Sequence, residues 1–334
     1  MDLKQDIVHV NERGLYCPSG DFYIDPWKPV ETAVITHAHS DHARVGSKKY
    51  FSSATGMPFV RHRLGSDIKI DGIDYGRKIK MGRCWVSLHP AGHIAGSSQV
   101  RIEEGSRVWV ISGDYKRTPD PSCEAFEVVP CNVFVSEATF ALPIYNWESG
   151  ETTARKIFDW WQSDLSRPSI LFCYALGKSQ RVLAELKRLT DKTVYLHGAV
   201  ESLTEIYRAQ GVEMLPTRLV SEMEKGYSFA GDLIIAPPSG HHSPWMKRFK
   251  DPQTAFASGW MQVRGNRRRK GYEKGFVLSD HADWNELNQT IRDTGCETVF
   301  LTHGKTDVLA RYLKEIGIGV RLFKTEFQDD EDQS

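Results

Sequence analysis

The sequence predicts an α/β protein in which one architecture is inserted into another. Up to about Ser136 the chain is a succession of short apolar strands broken by turn residues, with few long helical patterns. From about Trp147 strands and helices alternate, the pattern of βαβ units on a mainly parallel sheet. After Tyr272 the strand-then-loop style returns. These shifts set expected boundaries at 1–145, 146–269 and 270–334, the outer two forming one domain around the middle insertion.

In the first part the predicted strands are Phe22–Ile24, Val34–Thr36, Trp85–Leu88, Gln99–Ile102, Val108–Ile111 and Val133–Ser136. Gly105-Ser106 reads as the hairpin turn between the fourth and fifth. In the insertion, predicted helices over Glu151–Leu165, Gln180–Leu189 and Val200–Ala209, the last ended by Gly211, alternate with strands Ser169–Tyr174 and Thr193–Leu196. Strands Leu233–Ala236 and Thr254–Ser258 follow. In the last part a strand over Gly275–Leu278 leads into Ser279-Asp280-His281. Asp283 with Glu286 three positions on is an N-cap opening a helix that Gly295 closes. A strand over Glu297–Thr302 then leads into His303, and a helix over Asp307–Ile316 precedes the acidic tail Asp329-Asp330-Glu331-Asp332, expected to be solvated.

Bulk properties narrow the class. A length of 334 residues with 40% hydrophobic and 26% charged residues suits a globular protein of two domains. Lys+Arg and Asp+Glu both number 43, so a polyanionic partner would be held by a local basic patch and not by a global field. The start lacks the apolar core of a signal peptide and no apolar run approaches a membrane span, so a cytoplasmic location and no membrane partner are expected. Six scattered cysteines without a C-x-x-C pair read as free thiols.

The most specific chemical signal is His37-Ala38-His39-Ser40-Asp41-His42, directly after an apolar, β-branched run. In extended backbone side chains alternate, so His37 and His39 project to one face and can grip one ion. Asp41 and His42 come as the chain turns and can grip a second. Nitrogen and oxygen ligands in this mixture suit zinc, with manganese or iron as alternatives. The competing reading is a histidine-rich surface loop, which a strand followed by this spacing disfavours. Two further segments offer ligands at strand ends: Pro90-Ala91-Gly92-His93-Ile94-Ala95-Gly96-Ser97, where glycines let the backbone fold tightly, and Ile111-Ser112-Gly113-Asp114-Tyr115. Asp114 is the natural acid to bridge two ions. Alone, each would more often be a turn residue.

This order of motifs resembles the metallo-β-lactamase fold, and the middle insertion and late histidines resemble its β-CASP branch of nucleases acting on DNA or RNA. The resemblance implies an αββα sandwich with an inserted α/β domain on a parallel sheet. It implies that Asp25 in Tyr23-Ile24-Asp25-Pro26 orients ligands instead of binding metal. Glu137 in Phe134-Val135-Ser136-Glu137-Ala138, His281 in Ser279-Asp280-His281-Ala282-Asp283 and His303 in Leu301-Thr302-His303-Gly304 match the branch's added motifs. Carried over, His37, His39, His93 and Asp114 hold one divalent ion, and Asp41, His42, His303 and the shared Asp114 hold the other. Glu137 would hydrogen-bond and orient His281. Asp41, His281 and Glu137 are then the catalytic candidates, with His281 either donating a proton to the leaving oxygen or holding a non-bridging one. Two such cations supply an acidified water and positive charge for a phosphate under attack.

Nucleic acid needs more contacts than these. The run from Arg264 to Lys274 holds six basic residues against one acidic, and its Arg267, Arg268, Arg269 and Lys270 are a candidate phosphate track, with a solvated linker as the alternative. Trp245, Trp260 and Tyr272 could stack bases, although such aromatics are more often core. His241-His242 lies in a loop without other ligands. Leu176-Gly177-Lys178-Ser179 mimics the end of a P-loop, but Phe172 replaces the upstream glycine, which rules out nucleotide binding by that motif and leaves Lys178 a candidate phosphate contact.

Whole-chain resemblance is to the compact bacterial ligase-associated DNA exonucleases, which implies DNA as substrate and a DNA ligase and helicase as partners in repair. His303 points the other way. DNA-processing members of the Artemis type usually carry valine at that motif, whereas RNA-processing members, including the mRNA 3′-end nuclease, carry histidine. A non-catalytic binding scaffold is a further alternative, disfavoured because every ligand position is filled. A thioesterase or lactamase ranks last, because neither needs the insertion or the Glu137/His281 pair.

Overall fold

The computed structural model describes residues 6–263 and 271–326, the side chain of His303 excepted. The basic stretch 264–270, with Arg267, Arg268, Arg269 and Lys270, and the acidic tail therefore lie outside the described residues. The chain folds as a mixed α/β protein in two compact units. The first takes the residues up to Pro119, Glu124–Pro143 and those from His281 onward; the second takes Asp120–Cys123 and Ile144–Asp280.

The first unit holds two sheets. Strands β1 (His9–Asn11), β2 (Gly14–Cys17), β3 (Phe22–Ile24), β4 (Thr32–Val34), β5 (Lys49–Ser53) and β6 (Ile70–Ile73) form one, in that order. Its pairing is antiparallel from β1 to β3 and parallel from β3 to β6. The other sheet is built from β7 (Ile79–Met81), β8 (Cys84–Pro90), β9 (Ser98–Glu104), β10 (Arg107–Ile111), β11 (Val133–Ala138), β18 (Thr298–Gly304) and β19 (Gly319–Leu322), in spatial order β19-β18-β11-β10-β9-β8-β7. The β9–β10 hairpin turns through Gly105 at φ +62, with Arg107 paired to Glu104.

Strand periodicity explains how this second sheet is covered on both faces. Trp109, Ile111, Val135 and Phe300 point into a core shared with Leu15, Phe22, Ile24 and Val34 of the other sheet. Their neighbours Val110, Phe134, Val299 and Leu301 point to the opposite face, against Leu287 and Ile291 of helix Trp284–Asp293 and Leu309 and Leu313 of helix Thr306–Glu315. A strand buried on both faces reads as a continuous apolar run, which is why β10, β11 and β18 stand out in the sequence. Asp283 caps the first of these helices, its carboxylate accepting from Glu286 N at 2.9 Å. On the other sheet, helix Met57–Leu64 buries Phe59 and Val60 beside β5 and β6.

The second unit carries β12 (Ser169–Phe172), β13 (Val194–Leu196), β14 (Thr217–Leu219), β15 (Leu233–Ala236), β16 (Gln253–Ala257) and β17 (Lys274–Phe276). They lie in the order β14-β13-β15-β12-β16-β17, every pairing parallel. Helix Gly150–Gln162 precedes β12, and helices Lys178–Leu186 and Gly198–Ala209 connect strands of this unit; Ser149 caps the first of the three and the His197 ring the last. Among the described residues no disulfide joins the cysteines, and no helix is long and apolar enough to cross a membrane.

Candidate metal centre

Four sequence-distant segments reach one end of the first unit's strands. The H-x-H-x-D-H stretch follows β4, the His93 loop joins β8 to β9, Asp114 follows β10, and Glu137 sits near the end of β11. The pairing of β11 with β18 shifts register between Ser136 and Ala138. Two steps along β11 here match three along β18, so the extra residue of the bulge falls on β18, between Leu301 and Gly304, opposite Glu137. Gly304 makes the close approach possible: at φ +91, a Cβ there would lie 2.1 Å from the Ala138 carbonyl oxygen.

The His93 loop is a second tight turn. Ser97 Oγ accepts from the backbone N–H groups of His93 (3.1 Å) and Ile94 (3.3 Å), and Glu124 accepts from Gly96 N at 3.0 Å. Gly96 adopts φ +75, and a Cβ on it would stand 2.3 Å from both Cα and N of Gly56. Gly96→Ala adds left-handed strain to a backbone collision and is expected to destabilise the fold by about 2–4 kcal/mol. Urea unfolding checks this, and a loss below roughly 1 kcal/mol would mean that the loop relaxes at little cost.

The side chains then converge. Single donor atoms of His37, His39, His93 and Asp114 all lie within 4.8 Å of one another. The three imidazoles meet edge-on, with centroids 4.9 Å (His37–His39), 4.8 Å (His37–His93) and 4.9 Å (His39–His93) apart. His93 Nε2 is 3.1 Å from His39 Nδ1. One oxygen of Asp114, Oδ2, stands 3.3 Å from His37 Nε2, 3.8 Å from His93 Nε2 and 3.5 Å from His42 Nε2. Asp41 Oδ2 is 3.5 Å from the same His42 nitrogen. Asp114 therefore faces both predicted ligand sets. The side chain of His303, predicted for the second set, lies outside the described residues.

Behind these groups sits a support that fixes their orientation. Asp25, held at φ +44 just past β3, accepts from Thr36 N (2.8 Å), Thr36 Oγ1 (2.6 Å) and His42 Nδ1 (2.8 Å). Thr36 Oγ1 also lies 3.0 Å from His37 Nδ1. Both rings thus turn Nε2 toward Asp114, the arrangement by which outer carboxylates orient metal-binding imidazoles. Thr36 was not singled out in the sequence. Its signal is its position, immediately before the first histidine.

Electrostatics and donor chemistry fit a cation. Burial, then the neighbouring His42, hold His37 well below the usual histidine range, and burial with His281 does the same for His93, so both present neutral nitrogens at pH 7. Burial also opposes charge on His42, but the carboxylates of Asp114, Asp41 and Asp25 outweigh it and push its pKa up to about 10. Positive charge is what that corner of the pocket requires. His37 Nε2 is fully buried and makes no hydrogen bond. A neutral, water-excluded nitrogen beside two more imidazoles and a carboxylate matches the donor set of a zinc-type ion.

His281 adjoins this cluster. Its Nδ1 lies 3.0 and 2.9 Å from the two oxygens of Glu137, and its ring is 4.6 Å from that of His93. Glu137 also accepts from Tyr115 N at 2.9 Å, and Phe140 packs edge-on against the His281 ring at 5.9 Å. Asp114, Glu137 and His281 form a second group whose donor atoms lie within 4.8 Å of one another.

Other singled-out residues stand elsewhere. In the second unit Lys178 is buried, its Nζ 3.6 Å from Asp280 and 4.4 Å over the Tyr174 ring. Tyr272 stacks on Phe256 at 5.1 Å, His241 tilts against Tyr272 at 4.2 Å, Trp260 is buried, and Trp245 packs on Phe249 at 4.8 Å.

Fold and site together define a buried histidine–aspartate cluster that could hold a metal ion, at the strand ends of a two-sheet unit. No family model matches the chain. Over 309 residues, 91% of the chain, it is 29% identical to a "Probable DNA ligase" of Opitutus terrae. It is 26% identical over 53% of its length to "RNase aCSPSF2" of Saccharolobus solfataricus. It is also 21% identical over 86% of its length to an "RNase J-like protein" of Methanocaldococcus jannaschii, of which it covers 79%. The chain spans only 30% of the first of these relatives and 42% of the second. A crystal structure of a protein of unknown function from Enterococcus faecalis superposes with a TM-score of 0.58 at 12% identity, covering 89% of this chain and 80% of that one, a likeness of fold alone. These relatives bear out the resemblance drawn from the motifs: the chain is related to the β-CASP nucleases of the metallo-β-lactamase fold.

Proposed function

We propose that the chain is a two-metal nuclease that hydrolyses phosphodiester bonds of DNA, an exonuclease working beside a DNA ligase and helicase in repair. The observation that carries this reading is the position of Asp114 Oδ2, within 3.3–3.8 Å of ring nitrogens of His37, His93 and His42. The likeness along 91% of the chain to a protein named as a DNA ligase supports the pairing with ligation. On this reading the first unit is an αββα metallo-β-lactamase sandwich and the second unit an inserted β-CASP domain.

His37, His39, His93 and Asp114 would hold one ion, and Asp41, His42, His303 and Asp114 the other, with zinc the expected metal and manganese an alternative. When bound, such a pair supplies a water acidified to a pKa of about 7 and positive charge for the phosphate. The chain's own residues do the rest. Asp25 and Thr36 fix the orientation of the His42 and His37 rings. Glu137, accepting from Nδ1–H of His281, fixes the ring so that it acts through its other nitrogen. That nitrogen delivers a proton to the leaving oxygen or holds a non-bridging oxygen. The dry, carboxylate-rich pocket strengthens each of these interactions.

RNA is the second reading, supported by two relatives named as RNases and by histidine at position 303. Product ladders from end-labelled single-stranded DNA and RNA, with zinc or manganese added, separate the two. Progressive shortening of DNA is expected; cleavage of RNA alone would end the DNA assignment. A folded protein that binds no metal and cuts neither would favour a non-catalytic scaffold.

A further inference from the structure

Arg63 is not explained by the metal centre. It stands in the last turn of helix Met57–Leu64, beside Arg61 and His62, and the residue is exposed. Its Nε donates to the carbonyl oxygen of Ala38 at 2.7 Å. Ala38 is the residue between His37 and His39, so this guanidinium rests on the backbone of the proposed metal loop. Burial lowers its pKa from the ordinary arginine value and the Asp41 carboxylate opposes that shift, which marks both partial desolvation and closeness to the site.

Bracing the Ala38 carbonyl needs one N–H donor. Arginine carries five in a rigid planar fork, and the two Nη groups of Arg63 make no ion pair or hydrogen bond among the described residues. A fork with one edge anchored and the other open is the geometry that takes a phosphate by two parallel hydrogen bonds.

We propose that Arg63 binds a phosphate adjoining the scissile one, through Nη1 and Nη2, and so sets where the polynucleotide lies across the metal centre. The inference rests on the phosphodiesterase reading above. It makes Arg63 a substrate-binding residue for a chain of at least two phosphates.

The test compares two substrates of the metal-loaded protein: a single-stranded oligonucleotide, and bis(p-nitrophenyl) phosphate, a diester with only the scissile phosphate. For Arg63→Ala, kcat/KM on the oligonucleotide is expected to fall about 10- to 100-fold, the loss typical of a hydrogen bond to a charged group, mainly through KM. The slope of log KM against log salt should become shallower by about 0.7, one phosphate contact on a single strand. Arg63→Lys should restore part of the affinity without the two-pronged contact. Activity on the small diester and bound metal per chain should stay at wild-type values. Equal losses on both substrates, or loss of metal, would reduce Arg63 to a brace of the loop and overturn the proposal. An unchanged oligonucleotide rate would overturn it as well. If the wild-type protein hydrolysed neither substrate, the phosphodiesterase reading itself would fall, and the inference with it.

Discussion

Asp114→Asn is expected to lower turnover by about 10³-fold or more, since it removes a charge on which both proposed ions depend. Oδ2 of Asp114 lies 3.3 Å from His37 Nε2 and 3.5 Å from His42 Nε2, so one atom adjoins both proposed ligand sets. Asparagine keeps the shape but puts a neutral oxygen or an NH₂ group in that position. Bound metal per chain should fall together with activity, while the near-ultraviolet circular dichroism of the core aromatics stays unchanged. The change also relieves His42 of the first-named of the three carboxylates that raise its pKa, so this ring should titrate lower in metal-free Asp114→Asn than in the metal-free wild type. Near-normal turnover with full metal content would remove Asp114 from the bridging position.

Much of this site is legible in the sequence because its proposed ligands follow strands whose apolar runs are themselves legible. β10, β11 and β18 are buried on both faces, so hydrophobicity marks them and places Asp114 and Glu137 at or near their ends. The strands that do not announce themselves are of a different kind. His9–Asn11, Ile70–Ile73 and Thr217–Leu219 carry polar, glycine or exposed residues, and helix Met57–Leu64 shows only a short apolar face. Pairing and packing with distant neighbours define them, and local propensity does not. Arg63 belongs to this second group. Its partner, the Ala38 carbonyl, is a backbone atom 25 residues away, and no spacing rule links a helix-end arginine to it. Thr36 is similar, since its hydroxyl matters only once Asp25, from another strand, is beside it. Lys178 shows the converse. A glycine–lysine pair at a strand-to-helix turn suggests a phosphate contact, yet the folded chain sets that ammonium 3.6 Å from Asp280.

His281→Ala is expected to slow hydrolysis by ~10²–10⁴-fold while leaving bound metal at the wild-type level. Two arrangements compete for this histidine. Asp114, Glu137 and His281 bring donor atoms within 4.8 Å, which by itself would suit a third ion as well as a proton relay. The hydrogen bonds favour the relay we propose. Glu137 places both oxygens 2.9–3.0 Å from His281 Nδ1 and one of them 2.9 Å from Tyr115 N, so its lone pairs face protein donors and not an open position. A carboxylate engaged in this way orients and polarises an imidazole, and the ring is left to act through its other nitrogen. The relay therefore predicts that Glu137→Gln has a smaller effect than His281→Ala, because glutamine can still accept from Nδ1. An ion at this position predicts instead that both substitutions release metal to a similar extent, which would move His281 from the proton relay into the ligand set.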